Sequence, residues 1–474
     1  MSTTINGLLV QTVSTSNLST TYLYDSLGRR TGVTDPRISS YDAQTGIWSN
    51  YHETHYNAVG QVDWTKDTAG NQTSYGYDNP PANPSDVQRQ AATGRQISIT
   101  NALEKTKRMA YTVRGQLHRV WGDTEYPLEY GNDENGRRIT LNTYRGGTGW
   151  NGVVWPSETK GAADTTTWHY EPATGLLESK EYADGKGPSY TYYNDGSLKT
   201  RTWARTVGGN GLTTTYGYDP NTGQLASVDY SDSTPDVSYT YTRTGKIKTV
   251  SDAIGTRSFA YTGLDKLDSE TLPSGFYCAT TVLTRGYDAL GRDGGYSLSW
   301  DGSAIQSATY GYDANGRFGS VDSNGDTFSY GYLANSDLIN TLSGPADILH
   351  IRAYEATRNL VDYVENKVDT TTVSKYDYTN DVIGRRTSVQ KSGTAFTAND
   401  TVVWGYDDRS QVTTAVAAND ATYDYTYAYD PIGNRTNYVT KETGTAVTTT
   451  YDRNQLNQYR SEERRVGKEC RSRW

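Results

Sequence analysis

Residues 213–228 read TTTYGYDPNTGQLASV. In an extended chain successive side chains point to opposite faces, so Thr214, Tyr216 and Tyr218 share one face while Thr215 and Gly217 share the other. Threonine and tyrosine both favour the pleated, half-buried surface of a sheet. Asp219, Pro220, Asn221 and Gly223 then form a turn cluster, in which proline fixes φ and glycine permits a positive one. A returning strand over residues 224–230 completes a β-hairpin.

The same phrase recurs from one end of the chain to the other. It reads YLYDSLGRRTGV from Tyr22, HYNAVGQVDW from His55, YGNDENGRRITL from Tyr130, GYDALGRDGGY from Gly286, YGYDANGRFGSV from Tyr310 and AYDPIGNRTNYV from Ala428. Successive copies are most often roughly 20–25 residues apart, a spacing typical of repeat architectures. No stretch carries the 3.6-residue apolar period and caps of a long helix. The expectation is an all-β fold in which residues 1–459 form one array of tandem hairpins that continue into a spiralling sheet.

Composition points the same way. Hydrophobic residues make up 34% of the chain and the mean hydropathy is -0.76, values that with few aliphatic side chains suit a disordered polymer. The 41 tyrosines argue otherwise. A buried tyrosine hides roughly 150–250 Å², so at about 25 cal/mol per Å² each contributes on the order of 4–6 kcal/mol as an upper bound. Its hydroxyl also tolerates water, which favours a thin sheet wetted on both sides over a thick globule.

The last fifteen residues, RSEERRVGKECRSRW from Arg460, break abruptly with the pattern and resemble the in-frame translation of a sequencing adapter. They are set apart as a non-native tail. The tail holds six basic and three acidic residues, so the array ahead of it carries a net charge of -12 within the total of -9. Such an acidic surface does not suit a phosphate backbone, and no nucleic-acid partner is expected. No apolar run is long enough to span a membrane, and no signal peptide is visible. Setting the tail aside removes Cys470 and leaves Cys278, read as a small buried apolar residue, so no disulfide framework is expected.

With Tyr-x-Tyr-Asp, a two-residue spacer, Gly, Arg and a β-favouring run in place, the array resembles Rhs repeats, also called YD repeats. The resemblance extends from about Thr20 to Tyr459; residues 22–33, 310–321 and 427–436 fit best, whereas Tyr332, Tyr354 and Tyr406 are followed by copies without the glycine. The motif residues are Tyr24, Asp25, Gly28 and Arg29; Tyr216, Tyr218, Asp219 and Gly223; Tyr287, Asp288, Gly291 and Arg292; Tyr312, Asp313, Gly316 and Arg317; and Tyr429, Asp430, Gly433 and Arg435. All are read as structural, the arginines, with Arg137 and Arg385, lying over neighbouring rings or beside turn aspartates. In this family such repeats form a ribbon that winds into a hollow shell around a C-terminal toxin, and related repeats occur in cell-surface and adhesion proteins. The resemblance therefore implies a secreted or cell-surface, non-enzymatic wall whose partner is a C-terminal domain carried as cargo. A surface protein that binds carbohydrate or another cell is the alternative, and a glycosidase-like β-protein a remote third.

Individual residues offer little chemistry beside this. His52 and His55 in HETH sit three apart, which on a strand places them on opposite faces, so no metal pair is expected. Asp322, Asn324 and Asp326 imitate the start of a calcium loop, but glycine falls at the fourth position and Leu333 where the closing glutamate belongs, so a hairpin turn is expected. The glycine-rich stretches at Gly146 and Gly208 open no helix after a strand, which argues against a phosphate loop. Neither catalytic nor cofactor-binding residues are assigned. Asp219-Pro220 and Asp430-Pro431-Ile432-Gly433 resemble the family's self-cleaving segment only at the level of the turn, and autoproteolysis is not assigned to them.

Overall fold

A computed structural model describes residues 2–5, 7–14, 16–78, 93–146, 152–155, 160–207, 209–273, 280–442 and 444–459. Cys278, parts of both glycine-rich stretches and the tail from Arg460 lie outside the described residues. The described chain is all-β: 37 strands belong to one antiparallel sheet, a hairpin of Ser40–Asp42 and Ile47–Ser49 stands apart from it, and the one helical element is a 3-10 turn at Ala421–Tyr423.

The opening stretch shows how the sequence makes these strands. Asn210–Tyr218 pairs with Leu225–Tyr230, placing Tyr216 opposite Val228 and Gly217 opposite Ser227. One face of the hairpin is aromatic and aliphatic, and the other is small. On the small face a Cβ added at Gly217 would crowd the Ser227 hydroxyl, so glycine lets the two strands approach there. Elsewhere this face carries hydroxyl ladders such as Thr240–Thr249 and Thr191–Thr200, each 2.6 Å between oxygens.

Strand follows strand as a meander, so successive connections alternate between two borders of the ribbon. The Asp-containing turns fall on one border, the turn border. The connections back to the next hairpin fall on the other, the return border.

Burial is shallow. Buried apolar residues among those described are mostly Val and Ala, including Val228, Val250, Val389 and Val402, whereas Tyr216, Tyr218 and most other tyrosines are half-buried. A one-layer sheet cannot enclose a long side chain completely, so the rings cover the aliphatic positions and keep their hydroxyls at the surface.

Contacts divide the chain into two compact units, Met1–Thr165 with Gly331–Trp474, and Thr166–Tyr330. The first holds the cluster of Val389, Val402, Ala415 and Ala417, covered by Tyr376, Tyr378, Trp404 and Tyr425. It also brings together segments about 300 residues apart in the chain. Arg37 donates to the Arg358 carbonyl (2.7 Å), Thr68 to the Thr357 carbonyl (2.6 Å), and Lys105 pairs with Asp408 (3.0 Å). In the second unit, Asp322–Asp326 closes a tight hairpin with Asn324 at φ 55 and Gly325 at φ 96. Asp322 accepts from Gly325 N–H and the Thr327 hydroxyl there, as a turn former.

Candidate functional site

The repeated turn is the most elaborate piece of side-chain chemistry in the chain. In Asp25–Arg29 the Asp25 N–H donates to the Arg29 carbonyl and the Gly28 N–H to the Asp25 carbonyl, both at 3.0 Å. Gly28 occupies the left-handed region at φ 76, and the register shifts by one residue just beyond, giving a three-residue loop followed by a bulge. The Asp25 carboxylate then fills the loop: Oδ1 accepts from Leu27 and Arg29 N–H, and Oδ2 from Arg29 Nε at 2.7 Å. Asp133–Arg137, Asp288–Arg292, Asp313–Arg317 and Asp381–Arg385 repeat the clamp, with Nε to Oδ2 distances of 2.7–2.8 Å. Burial raises the affinity of these carboxylates for a proton, but the backbone and guanidinium hydrogen bonds outweigh it and hold all five below the usual range.

The tyrosine before the aspartate does a different job. Tyr24 donates to the Leu9 carbonyl (2.6 Å), Tyr218 to Leu198 (3.1 Å), Tyr287 to Leu267 (2.7 Å), Tyr312 to Asp293 (2.8 Å) and Tyr429 to Val412 (2.9 Å). Each of these acceptors lies in the hairpin before, so every such hydroxyl ties one hairpin to its predecessor. The clamp arginine makes a tie of its own to the hairpin that follows. Arg29 lies over the Tyr56 ring (4.6 Å), Arg292 over Tyr312 (3.8 Å) and Arg385 over Tyr406 (4.6 Å). Where the position is not arginine, another long donor reaches the next turn's glycine carbonyl: Gln224 to Gly245 (3.2 Å), and Lys266 to Gly291.

A family model for the RHS repeat matches residues 6–37, which contain the Tyr24–Arg29 turn. The geometry of that turn recurs through both units. The chain thus carries an RHS repeat over residues 6–37 and repeats the same turn along its length. Solved structures agree at the level of the fold. TcdB2-TccC3 without its hypervariable C-terminal region aligns with 93% of this chain at 14% identity and a TM-score of 0.59. A Tc holotoxin pore from Photorhabdus luminescens aligns with 96% at 15% identity and a TM-score of 0.56. The chain spans about a quarter of the length of these chains, 26% and 24% respectively. No curated protein matches it by sequence.

Within the array the copies differ in instructive ways. Asp219 receives Asn221 and Thr222 N–H, and Gly223, at φ 70, closes the longer turn without an arginine. In the last complete copy Asn434 takes the clamp position, its Nδ2 2.9 Å from Asp430 Oδ2, and Arg453 supplies the guanidinium from the next turn at 2.8 Å. Arg435, aligned by sequence with the clamp arginines, stands one residue further on and spreads over Tyr427, Tyr438 and Tyr451. Arg30, Arg138 and Arg386 occupy the same place over Tyr22, Tyr130 and Tyr378, so two successive arginines have two distinct jobs. Ser410 takes the glycine position of its turn at φ 64.

A cluster outside the motif has no counterpart in the sequence pattern. Tyr144, 1% exposed, donates to Glu129 Oε2 at 2.5 Å, Arg119 Nε donates to Oε1 at 2.7 Å, and Lys160 Nζ lies 3.2 Å from the Tyr144 oxygen. Burial raises the Glu129 carboxyl, yet the hydrogen bonds from Tyr144 and Arg119 and the nearby cations bring it down to about 2. Burial, then the hydrogen bond to Glu129, pushes the Tyr144 phenol above its ordinary range. Trp155 packs edge-on against Trp121 and Tyr144 beside this network. The arrangement ties Trp155 and Lys160 to the sheet.

Reactive groups do not converge elsewhere among the described residues. His55 stacks on Trp64 at 5.0 Å and sits 3.2 Å from Asp63, while His52 is an exposed strand residue. No group of three or more His, Cys, Asp or Glu residues comes together there. A concavity of about 680 Å³ is lined by Glu53, Lys66, Asp67, Thr68 and Arg358. Three of its charges are engaged: Asp67 accepts from Ala69 and Asn71, Arg358 clamps Glu355, and Lys66 lies over the Trp64 ring.

Proposed function

We propose that this Rhs array is a stretch of wall in a longer polypeptide, enclosing or presenting a C-terminal effector domain and catalysing nothing itself. In this reading residues 1–459 are one structural array, residues 460–474 lie outside it, and the whole acts at the cell surface or after secretion. The observation that carries it is how fully the motif chemistry is spent on the fold. The turn carboxylates are saturated by their own loops, the tyrosine hydroxyls by neighbouring hairpins, and the arginines by both. A catalytic or ligand-binding role needs polar groups aimed outward, whereas a wall needs them aimed along itself. The fold shared with TcdB2-TccC3 supports the same assignment.

The test is protection from protease. The full natural polypeptide is digested with and without substitutions that break the turns, such as Asp288→Ala with Asp313→Ala. A downstream domain that resists cleavage only behind the intact array supports enclosure. Equal cleavage in both forms sinks it.

A further inference from the structure

The hairpin between Phe318–Ser323 and Asp326–Tyr332 has Asn324 and Gly325 as its tip, an asparagine followed by a glycine. An asparagine side chain is open to attack by the main-chain nitrogen that follows it, which closes a cyclic imide. Glycine, lacking a Cβ, leaves that nitrogen accessible. Even a Cβ built at Gly325 would meet nothing within 4 Å, so the ring has room to form.

Two further groups are placed for that reaction. The Gly325 N–H, which must lose its proton, donates to Asp322 Oδ1 at 3.2 Å. Asn324 Oδ1, which takes up charge as the ring closes, accepts from the Ser307 N–H of the adjacent strand Ser303–Tyr312, also at 3.2 Å. A carboxylate on the proton to be removed and an N–H on the oxygen that turns anionic are a general base and an oxyanion donor. The Thr327 hydroxyl holds the other oxygen of Asp322 at 2.8 Å and fixes the carboxylate's direction. The Asn-Gly pairs of the clamped turns are built otherwise. Gly136 and Gly316 donate to the main-chain carbonyls of Asp133 and Asp313, at 3.1 and 2.9 Å, and lie against the side chains of Gln116 and Arg292.

We propose that Asn324-Gly325 is a self-modification site, at which the folded hairpin drives conversion of Asn324 to aspartate and isoaspartate. The Gly325 nitrogen passes its proton to Asp322 and bonds to Asn324 Cγ. The Cγ–Nδ2 bond then breaks, and the nitrogen leaves as ammonia with that proton. Water opens the imide: attack at Cγ restores the main chain and leaves aspartate, whereas attack at the main-chain carbonyl leaves isoaspartate. The reaction consumes water and is spent once on the chain itself, so it goes beyond the wall reading without making the array an enzyme. Either product adds a carboxylate between Asp322 and Asp326, and isoaspartate also lengthens the backbone of the tip, so the hairpin loosens with age.

Peptide mapping by mass spectrometry of the full chain, sampled during incubation at neutral pH, tests this. In the folded chain, conversion is expected to be about tenfold faster at Asn324 than at Asn135 or Asn315, less than a positioned base supplies in an enzyme, with isoaspartate among the products. In urea the three sites are expected to converge, since each is then an asparagine before a glycine with no base beside it. Asp322→Asn keeps an acceptor for the Gly325 N–H but no base. It is expected to bring Asn324 down to the rate of the other two at an unchanged melting temperature. A folded chain in which Asn324 converts no faster than the others overturns the proposal, as does an advantage that persists in urea. So does a rate unchanged in Asp322→Asn, and so do products without isoaspartate, which mean direct hydrolysis by water.

Discussion

Replacing Tyr312 by phenylalanine removes one oxygen and one hydrogen bond, that to the Asp293 carbonyl. The expected cost in urea unfolding is about 1 kcal/mol, because the ring contacts survive. Tyr216→Ala or Tyr218→Ala removes the ring as well and is expected to cost about 2–3 kcal/mol, against a few tenths for Ser227→Ala on the small face. Equal, small effects would contradict the role given to the rings. Ser410 offers the opposite sign. It holds a left-handed φ that a side chain resists, so Ser410→Gly is expected to stabilise by about 0.5–1 kcal/mol, while Gly316→Ala, starting from φ 81, destabilises by about 1 kcal/mol or more. Thermal unfolding of the two variants side by side checks both signs.

The hairpin is the next scale, and it was largely legible beforehand. The alternation Tyr216-Gly217-Tyr218 and the cluster Asp219–Gly223 are enough to place a strand, a turn and a return, because period and turn chemistry are local properties. The arginines over neighbouring rings were legible too, but the hydroxyl ties between hairpins were not. The acceptor for Tyr312 is a main-chain carbonyl nineteen residues back, and a carbonyl leaves no mark in the sequence. Arg435 was hidden for a related reason: only the bulge decides which of two adjacent residues meets the aspartate. The Glu129 network escaped because its members come from separate strands and a connection with no shared pattern.

Hairpin turns also set the response to acid. The clamped aspartates and Glu129 have lowered pKa values in the folded chain, so their stabilisation is complete above the unfolded values, near ~4. It is lost as pH falls through the folded values. The melting temperature is therefore expected to hold from neutral pH to about 5 and to drop between about 4.5 and 2. Glu129, brought down to about 2, accounts for on the order of 3 kcal/mol of that loss at most, and Glu129→Gln should flatten the lower end of the profile. A profile unchanged by Glu129→Gln would contradict the network's contribution.

At the scale of the molecule, the seam in the first unit joins segments that the repeat pattern treats as independent. Arg37→Ala with Thr68→Val removes its hydrogen bonds to Arg358, Asn359 and Thr357 while leaving every hairpin intact. Hydrogen exchange is expected to quicken at residues 34–39 and 355–360 together, with the strands of Thr166–Tyr330 unchanged. Faster exchange confined to residues 34–39 would mean that the seam does not support its partner.

The tyrosine tie has one more consequence, for how such a chain changes over generations. Its acceptor is backbone, present whatever residue stands there, so a new hairpin can be copied in or lost without a matching substitution in its neighbour. Side chains on either side are then free to drift as long as the hydroxyl and the turn persist.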